Sequence, residues 1–108
     1  MATVTLVNSF EVPAGQEEQF FTLWQEVNAY MRAKPGYLGH QLHRALAPQA
    51  AYRFMNVVRW ASEADFRAAH DDGFRALLAK PGWPAFRSHP ELYEVVHEGR
   101  AGVAASAT

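Results

Sequence analysis

Two asparagines stand where a strand pattern calls for apolar residues. Asn8 interrupts the apolar side of the stretch TLVNSFEV, and Asn56 interrupts that of FMNVVRW. A buried carboxamide costs free energy unless its donors and acceptors find partners. The pattern therefore predicts either a hydrogen-bonded structural pair or a polar spot in an apolar pocket.

Trp60 lies four residues beyond Asn56 on the same strand face, which separates the two side chains by about 13 Å along the strand. The amide supplies NH₂ donors and the indole supplies an N–H. Both can stabilise an anionic oxygen on a flat polycyclic ligand that spans the gap. Two structural alternatives stay open: Trp60 is core and Asn56 bonds nearby backbone, or Asn8 and Asn56 bond each other and fix the sheet register.

The chain has five histidines, and their spacing argues against a dedicated metal site. His40 and His43 are three apart on a predicted strand, so they point to opposite faces and cannot chelate one ion. His70, near the end of a predicted helix, could act as a base or a ligand, although its position favours a partner for the helix dipole. His40 is a second, weaker candidate for the base.

Composition narrows the class of protein. The 108 residues are enough for one domain, and 49% of them are apolar. A net charge of −1 without blocks of like charge argues against nucleic acid or an anionic membrane as the main partner. The absence of cysteine excludes thiol catalysis and disulfides. No stretch resembles a signal peptide or a transmembrane span, so we expect a cytoplasmic protein.

Periodicity predicts alternating strands and helices. Strands are predicted at 3–12, 37–46, 52–60 and 92–97, and helices at 16–32 and 62–70, with a further helical turn or two at 74–79. The order is β-α-β-β-α-β, the ferredoxin-like split arrangement of an α+β protein with an antiparallel sheet. Its first and third strands are neighbours, which would bring Asn8 close to Asn56. We place the domain at 1–98 and a flexible tail at 99–108.

Helices on one face of such a sheet leave the other face without cover. Strand residues of both faces are apolar, as Val57 and Val58 illustrate. A second copy of the sheet could cover the open face, which predicts a homodimer.

Three stretches together resemble the antibiotic biosynthesis monooxygenase family: VNSFEVPAG, KPGYLGHQLHR and FMNVVRWASEADFRAAH. The resemblance extends over about residues 3–97. It implies a ferredoxin-like fold whose sheets pair into a dimeric α+β barrel, in agreement with the order of elements. Anthrone oxygenases of this family convert a phenolic polycyclic substrate of polyketide pathways to a quinone with O₂ and without a cofactor.

The resemblance also implies site residues. The N-x-x-x-W pattern of anthrone oxygenases fits Asn56 and Trp60 as catalytic residues, with Asn8 in support. Some relatives have a tyrosine six residues after the tryptophan, where this chain has Phe66 and so lacks the hydroxyl. The expected contacts to the small aromatic substrate come from aromatic and imidazole side chains: Phe66, His70, His40, Phe54 and Trp24.

Two other functions stay open. Haem-degrading members share the first-strand asparagine, which Asn8 matches, but their tryptophan falls near Ala69 here and their axial histidine within 77–79, which has none. The third possibility is a non-catalytic dimeric module that binds a small molecule. Fold alone does not choose among these functions.

Overall fold

The computed structural model describes residues 2–102 and confirms the ferredoxin-like α+β fold. Its strands are β1 (Val4–Glu11), β2 (Tyr37–Arg44), β3 (Phe54–Trp60) and β4 (Arg87–Tyr93), and its helices are α1 (Glu17–Met31), α2 (Glu63–Ala69) and α3 (Asp72–Leu78). A single 3₁₀ turn, Trp83–Ala85, precedes β4. The antiparallel sheet has the order β2-β3-β1-β4. No helix among the described residues has the length and apolar character needed to cross a membrane.

The last strand is the main correction to the predicted elements. It covers Arg87–Tyr93 rather than 92–97, because the three prolines between 80 and 90 had indicated a loop. Pro90 is tolerated within the strand since β4 is an edge strand, where a missing N–H need not break the sheet. Of the tail predicted at 99–108, residues 103–108 lie outside the described part of the chain.

Strand pairing brings the two strand asparagines together, as predicted. Asn8 of β1 pairs directly with Asn56 of β3, and on its other side Asn8 pairs with Pro90 of β4. Both asparagines point toward the helices, because they share strand faces with the buried residues Leu6 and Val58.

The core between sheet and helices divides into two clusters of buried side chains. One contains Leu6, Met31, Val58, Trp60 and Ala69. The other contains Phe10, Phe20, Trp24, Phe54 and Phe86. Helix α1 contributes to both clusters, since its buried residues recur at helical spacing along one face. The sheet asparagines lie where the two clusters meet.

The helix predicted at 62–70 and the helical turns predicted at 74–79 correspond to α2 and α3, and Asp71 anchors the break between them. Its carboxylate accepts hydrogen bonds from the Phe74 backbone N–H at 3.0 Å, the Tyr30 hydroxyl at 2.7 Å and the Lys34 ammonium at 2.6 Å. The first bond caps the N-terminus of α3. The others tie the break to the end of α1. Lys34, and then Tyr30, hold the pKa of Asp71 well below its usual range.

We predict that Asp71→Asn lowers the urea midpoint of unfolding at pH 7. Asparagine keeps a capping oxygen but loses the charge that faces Lys34. Because the pKa of Asp71 is lower in the folded state than its ordinary 3.8, the stability it contributes is present above that value and is lost as the pH falls. The difference between wild type and variant should therefore be constant near neutral pH and shrink as the pH falls below 3.8.

The neighbouring variant Asp72→Asn is the control, because Asp72 is fully exposed and its ion pair is with Arg75, one helical turn away on the surface. It should leave the midpoint almost unchanged. Equal effects of the two substitutions, or a difference that does not depend on pH, would contradict the structural role of Asp71.

Candidate active site

A cavity of about 510 Å³ lies between the sheet and the helices. Its volume is within the range of pockets that enclose small organic ligands. All three tryptophans and all three asparagines of the chain line it. Aromatic walls with a few polar side chains are typical of a small-molecule site.

The cavity collects most of the predicted site residues. Six of the eight line it: Asn8, Asn56, Trp60, Trp24, Phe66 and His70. Phe54 and His40 do not. Phe54 stacks on Phe20 in the core at 4.8 Å between ring centroids, and His40 packs against Trp24 on the β2 side at 5.4 Å. Burial, and then the charge of Arg32, lowers the pKa of His40.

The environment of Asn8 explains the amide in the first strand. Its partner across the β1–β4 pair is Pro90, which has no backbone N–H. The side-chain oxygen of Asn8 instead accepts a hydrogen bond from the backbone N–H of His89 at 3.1 Å. Asn8 therefore secures the edge strand beside its proline, and it does so from within the cavity wall.

Asn56 and Trp60 are both almost completely buried. Only 9% of Asn56 and 1% of Trp60 is exposed. The Asn56 side-chain oxygen and the Trp60 indole N–H are shielded from solvent, and neither has a hydrogen-bond partner among the described residues. Each such atom costs about 1–3 kcal/mol in a folded protein. The pair is thus a candidate for polar groups that are satisfied by a ligand.

His70 occupies the break between α2 and α3. Its Nδ1 lies 2.6 Å from the backbone carbonyl oxygen of Phe66. Because a carbonyl oxygen only accepts, Nδ1 carries a proton, and Nε2 is the nitrogen that holds the lone pair whenever the ring is neutral. The ring packs between Phe66 and Phe74, at 4.2 and 4.6 Å between centroids. His70 therefore bonds a backbone carbonyl at the C-terminal end of α2 and also lines the cavity.

Two further residues that line the cavity, Asn28 and Tyr37, were not predicted from the sequence as site residues. The side-chain NH₂ of Asn28, on α1, donates a hydrogen bond to the Tyr37 hydroxyl at 2.9 Å. Asn28 is only 9% exposed. The signal that revealed the strand asparagines was present here too, because Asn28 stands on the apolar helix face beside Trp24 and Met31.

The described residues offer no cluster of metal ligands. Within residues 2–102, no group of three or more His, Asp or Glu side chains is placed to hold a metal ion.

The fold is that of an α+β protein of the ferredoxin-like type with an aromatic cavity between its sheet and helices. The chain belongs to the antibiotic biosynthesis monooxygenase family, whose model matches residues 3–80. None of the curated protein sequences gives a significant match.

Several solved structures share the fold. A proposed monooxygenase from Shewanella loihica PV-4 is 37% identical, covers 90% of this chain and 97% of its own, and has a TM-score of 0.79. A point mutant of SnoaB, a cofactor-independent oxygenase from Streptomyces nogalater, is 22% identical with a TM-score of 0.77 over 91% of this chain and 97% of its own. At that identity it shows the shared fold alone.

MhuD, in a mutant form with two manganese protoporphyrin IX molecules per active site, is 26% identical. It has a TM-score of 0.71, and the match covers 91% of this chain and 99% of MhuD. Relatives of this fold therefore include both a cofactor-independent oxygenase and a protein that binds a porphyrin.

We predict that Asn56→Leu raises the free energy of unfolding by about 1 kcal/mol or more, because it removes a buried oxygen that has no partner. Asn28→Leu is the matched control, since Asn28 is equally buried but hydrogen bonded. It should stabilise less than Asn56→Leu by about 1 kcal/mol. Urea unfolding measures both values. An Asn56→Leu variant less stable than wild type would show that the Asn56 amide is satisfied within the protein.

Proposed function

We propose that the protein is a cofactor-independent monooxygenase that oxidises a phenolic, anthrone-like polycyclic substrate to a quinone with O₂. The observation that supports this proposal best is the unpaired amide oxygen of Asn56 and indole N–H of Trp60, on the wall of an apolar cavity. Natural proteins tolerate such a cost mainly where function requires it. A phenolic hydroxyl of the substrate would donate to the Asn56 oxygen, and another oxygen of the same ring system would accept from the Trp60 N–H.

The two atoms need an adjustment before they can meet a ligand, since both are shielded in this structure. Tyr37, Phe66 and His70 pack on the Trp60 ring, with centroids 5.1, 6.1 and 6.4 Å away. Rotation of one of these side chains would uncover the indole. Rotation of the Asn56 amide by half a turn exchanges its oxygen and its NH₂ group. The amide could therefore accept from a phenol and later donate to the anion.

His70 is our candidate for the base, with Asn8 in a supporting position. The Phe66 carbonyl fixes the proton on Nδ1, so Nε2 is the atom able to take a proton from the substrate. His40, the other candidate, lies outside the cavity lining and packs against Trp24. The geometry therefore favours His70.

The reaction balances without a cofactor. Loss of a proton from the reduced ring gives an anion, which transfers one electron to O₂. The resulting carbon radical and superoxide combine through a new C–O bond. The peroxide then loses water by cleavage of the O–O bond and of the remaining C–H bond at that carbon. One atom of O₂ enters the quinone and the other leaves in water. Donors at the substrate oxygen stabilise the anion, and the apolar walls exclude solvent.

Haem is the second candidate ligand, because MhuD binds a porphyrin on this fold. The residues here fit it poorly. The chain presents Leu78 to the cavity in the segment where haem-degrading relatives have an axial histidine. Among the described residues, no Lys or Arg lines the cavity to pair with the propionates. We therefore favour the phenolic substrate.

We predict that the purified protein, without added metal, flavin or nicotinamide, accelerates the O₂-dependent conversion of an anthrone such as dithranol to its quinone. Asn56→Ala and Trp60→Phe should each lose about tenfold or more, which corresponds to about 1.4 kcal/mol of transition-state stabilisation. Trp60→Phe keeps most of the bulk and removes the N–H, so it separates donation from packing. His70→Ala should lose activity that added imidazole partly restores. Absorbance of the quinone measures each rate.

Three results would count against this assignment. No rate above buffer with several anthrones would leave a non-catalytic binding module as the better interpretation. Full activity in both donor variants would place the site elsewhere. A stoichiometric Soret shift with hemin that disappears in His70→Ala would make haem the ligand. Circular dichroism should show that every variant is folded.

We also propose that the open face of the sheet forms a homodimer. This face carries Val7, Val57 and Met55, together with Tyr93, which is 53% exposed. Apolar side chains clustered on a face without helices are typical of a subunit interface.

Light scattering at micromolar concentration should therefore give about twice the chain mass of 12.1 kDa. Val57→Glu places a charge at the centre of this face and should yield monomers. Phe21→Glu, an exposed apolar position on the helix layer, should leave the mass of the wild type unchanged. A monomeric wild type would exclude the dimeric barrel.

A further inference from the structure

The cavity has a second polar position, formed by Asn28 and Tyr37. Asn28 projects from the last turn of α1, and Tyr37 begins β2. Tyr37 pairs in register with Trp60 across the β2–β3 ladder, and its ring meets the indole at 5.1 Å in an edge-on arrangement. The Tyr37 hydroxyl therefore belongs to the same wall as Asn56 and Trp60, but on the neighbouring strand.

The hydrogen bond from Asn28 determines which hydrogen bond the Tyr37 hydroxyl can make with a ligand. The Asn28 NH₂ donates and the phenolic oxygen accepts, which leaves the hydroxyl proton available to another acceptor. Burial is the main cause that raises the pKa of Tyr37, so the phenol stays protonated at neutral pH. The hydroxyl is thus a donor whose oxygen is already held in place.

Asn28 is an unexpected residue for its position. Asparagine is a weak helix former, and it stands on the buried face of α1 between Trp24 and Met31, where an apolar side chain would pack. Its side chain contacts Tyr37 through the one hydrogen bond described. An apolar residue here would leave the phenol without the partner that orients it.

We propose that Tyr37, positioned by Asn28, binds a second oxygen of the substrate and so selects hydroxylated over unsubstituted tricyclic aromatics. The proposal deepens the proposed function, because it gives the ligand two oxygen functions at different places on one ring system. The first meets Asn56, and the second lies at the Trp60 end of the cavity, where Tyr37 packs on the indole. The second accepts the hydrogen bond of Tyr37.

Binding tests this selectivity without turnover. The probes are anthrone, which has one oxygen, and 1,8-dihydroxyanthrone, both kept under argon and followed by quenching of tryptophan fluorescence. The wild type should bind the dihydroxy compound more tightly than anthrone. Tyr37→Phe should weaken binding of the dihydroxy compound about fivefold to tenfold, the usual value of one hydrogen bond, and leave anthrone binding unchanged.

Asn28→Leu tests the positioning role in a double-mutant cycle. Alone it should reduce the preference for the hydroxylated probe, and in the Tyr37→Phe background it should add little, because the two residues act through one hydroxyl. Equal weakening of all probes by Tyr37→Phe, or no weakening of any, would overturn the proposal. Selective binding can be observed even if the protein does not oxidise anthrones, and oxidation can be observed without selective binding. The two proposals can therefore be disproved independently.

Discussion

The layout of the site depends on the carboxylate of Asp71. It caps α3 and, through Tyr30 and Lys34, fastens the break between α2 and α3 to the end of α1. A continuous helix across residues 62–78 would lack this break. With it, His70 ends α2 with its ring packed between Phe66 and Phe74, on the cavity wall. Gly73 permits the close approach, since a Cβ there would overlap the Tyr30 hydroxyl.

The three asparagines of the chain face one cavity but have different environments. Asn8 bonds the edge strand beside Pro90, Asn28 holds the Tyr37 hydroxyl, and Asn56 keeps an oxygen without a partner. The first two satisfy needs of the protein itself. Only the third leaves a buried cost that nothing within residues 2–102 offsets. This difference is why Asn56 and its neighbour Trp60 are central to the proposed chemistry.

Much of this arrangement could be predicted from the sequence. Alternation and helical spacing predicted the order of elements, and the split order placed Asn8 beside Asn56, which the register confirms. The start of β4 could not be predicted, because proline is allowed in an edge strand but usually indicates a loop. The exclusion of Phe54 and His40 from the cavity depends on how α1 covers the sheet, which a strand pattern does not encode. Asn28 could have been identified from its position on the apolar face of α1. The role of Tyr37 could not, because it follows from a hydrogen bond that only the three-dimensional structure shows.

Isotope labelling tests the central claim most directly. Chelator-treated protein is given an anthrone under ¹⁸O₂, and the quinone is analysed by mass spectrometry against a buffer control. The proposed reaction predicts formation faster than in buffer, with one labelled oxygen in each quinone and the other atom of O₂ in water. A rate equal to that in buffer, or a new quinone oxygen that comes from water, would contradict it.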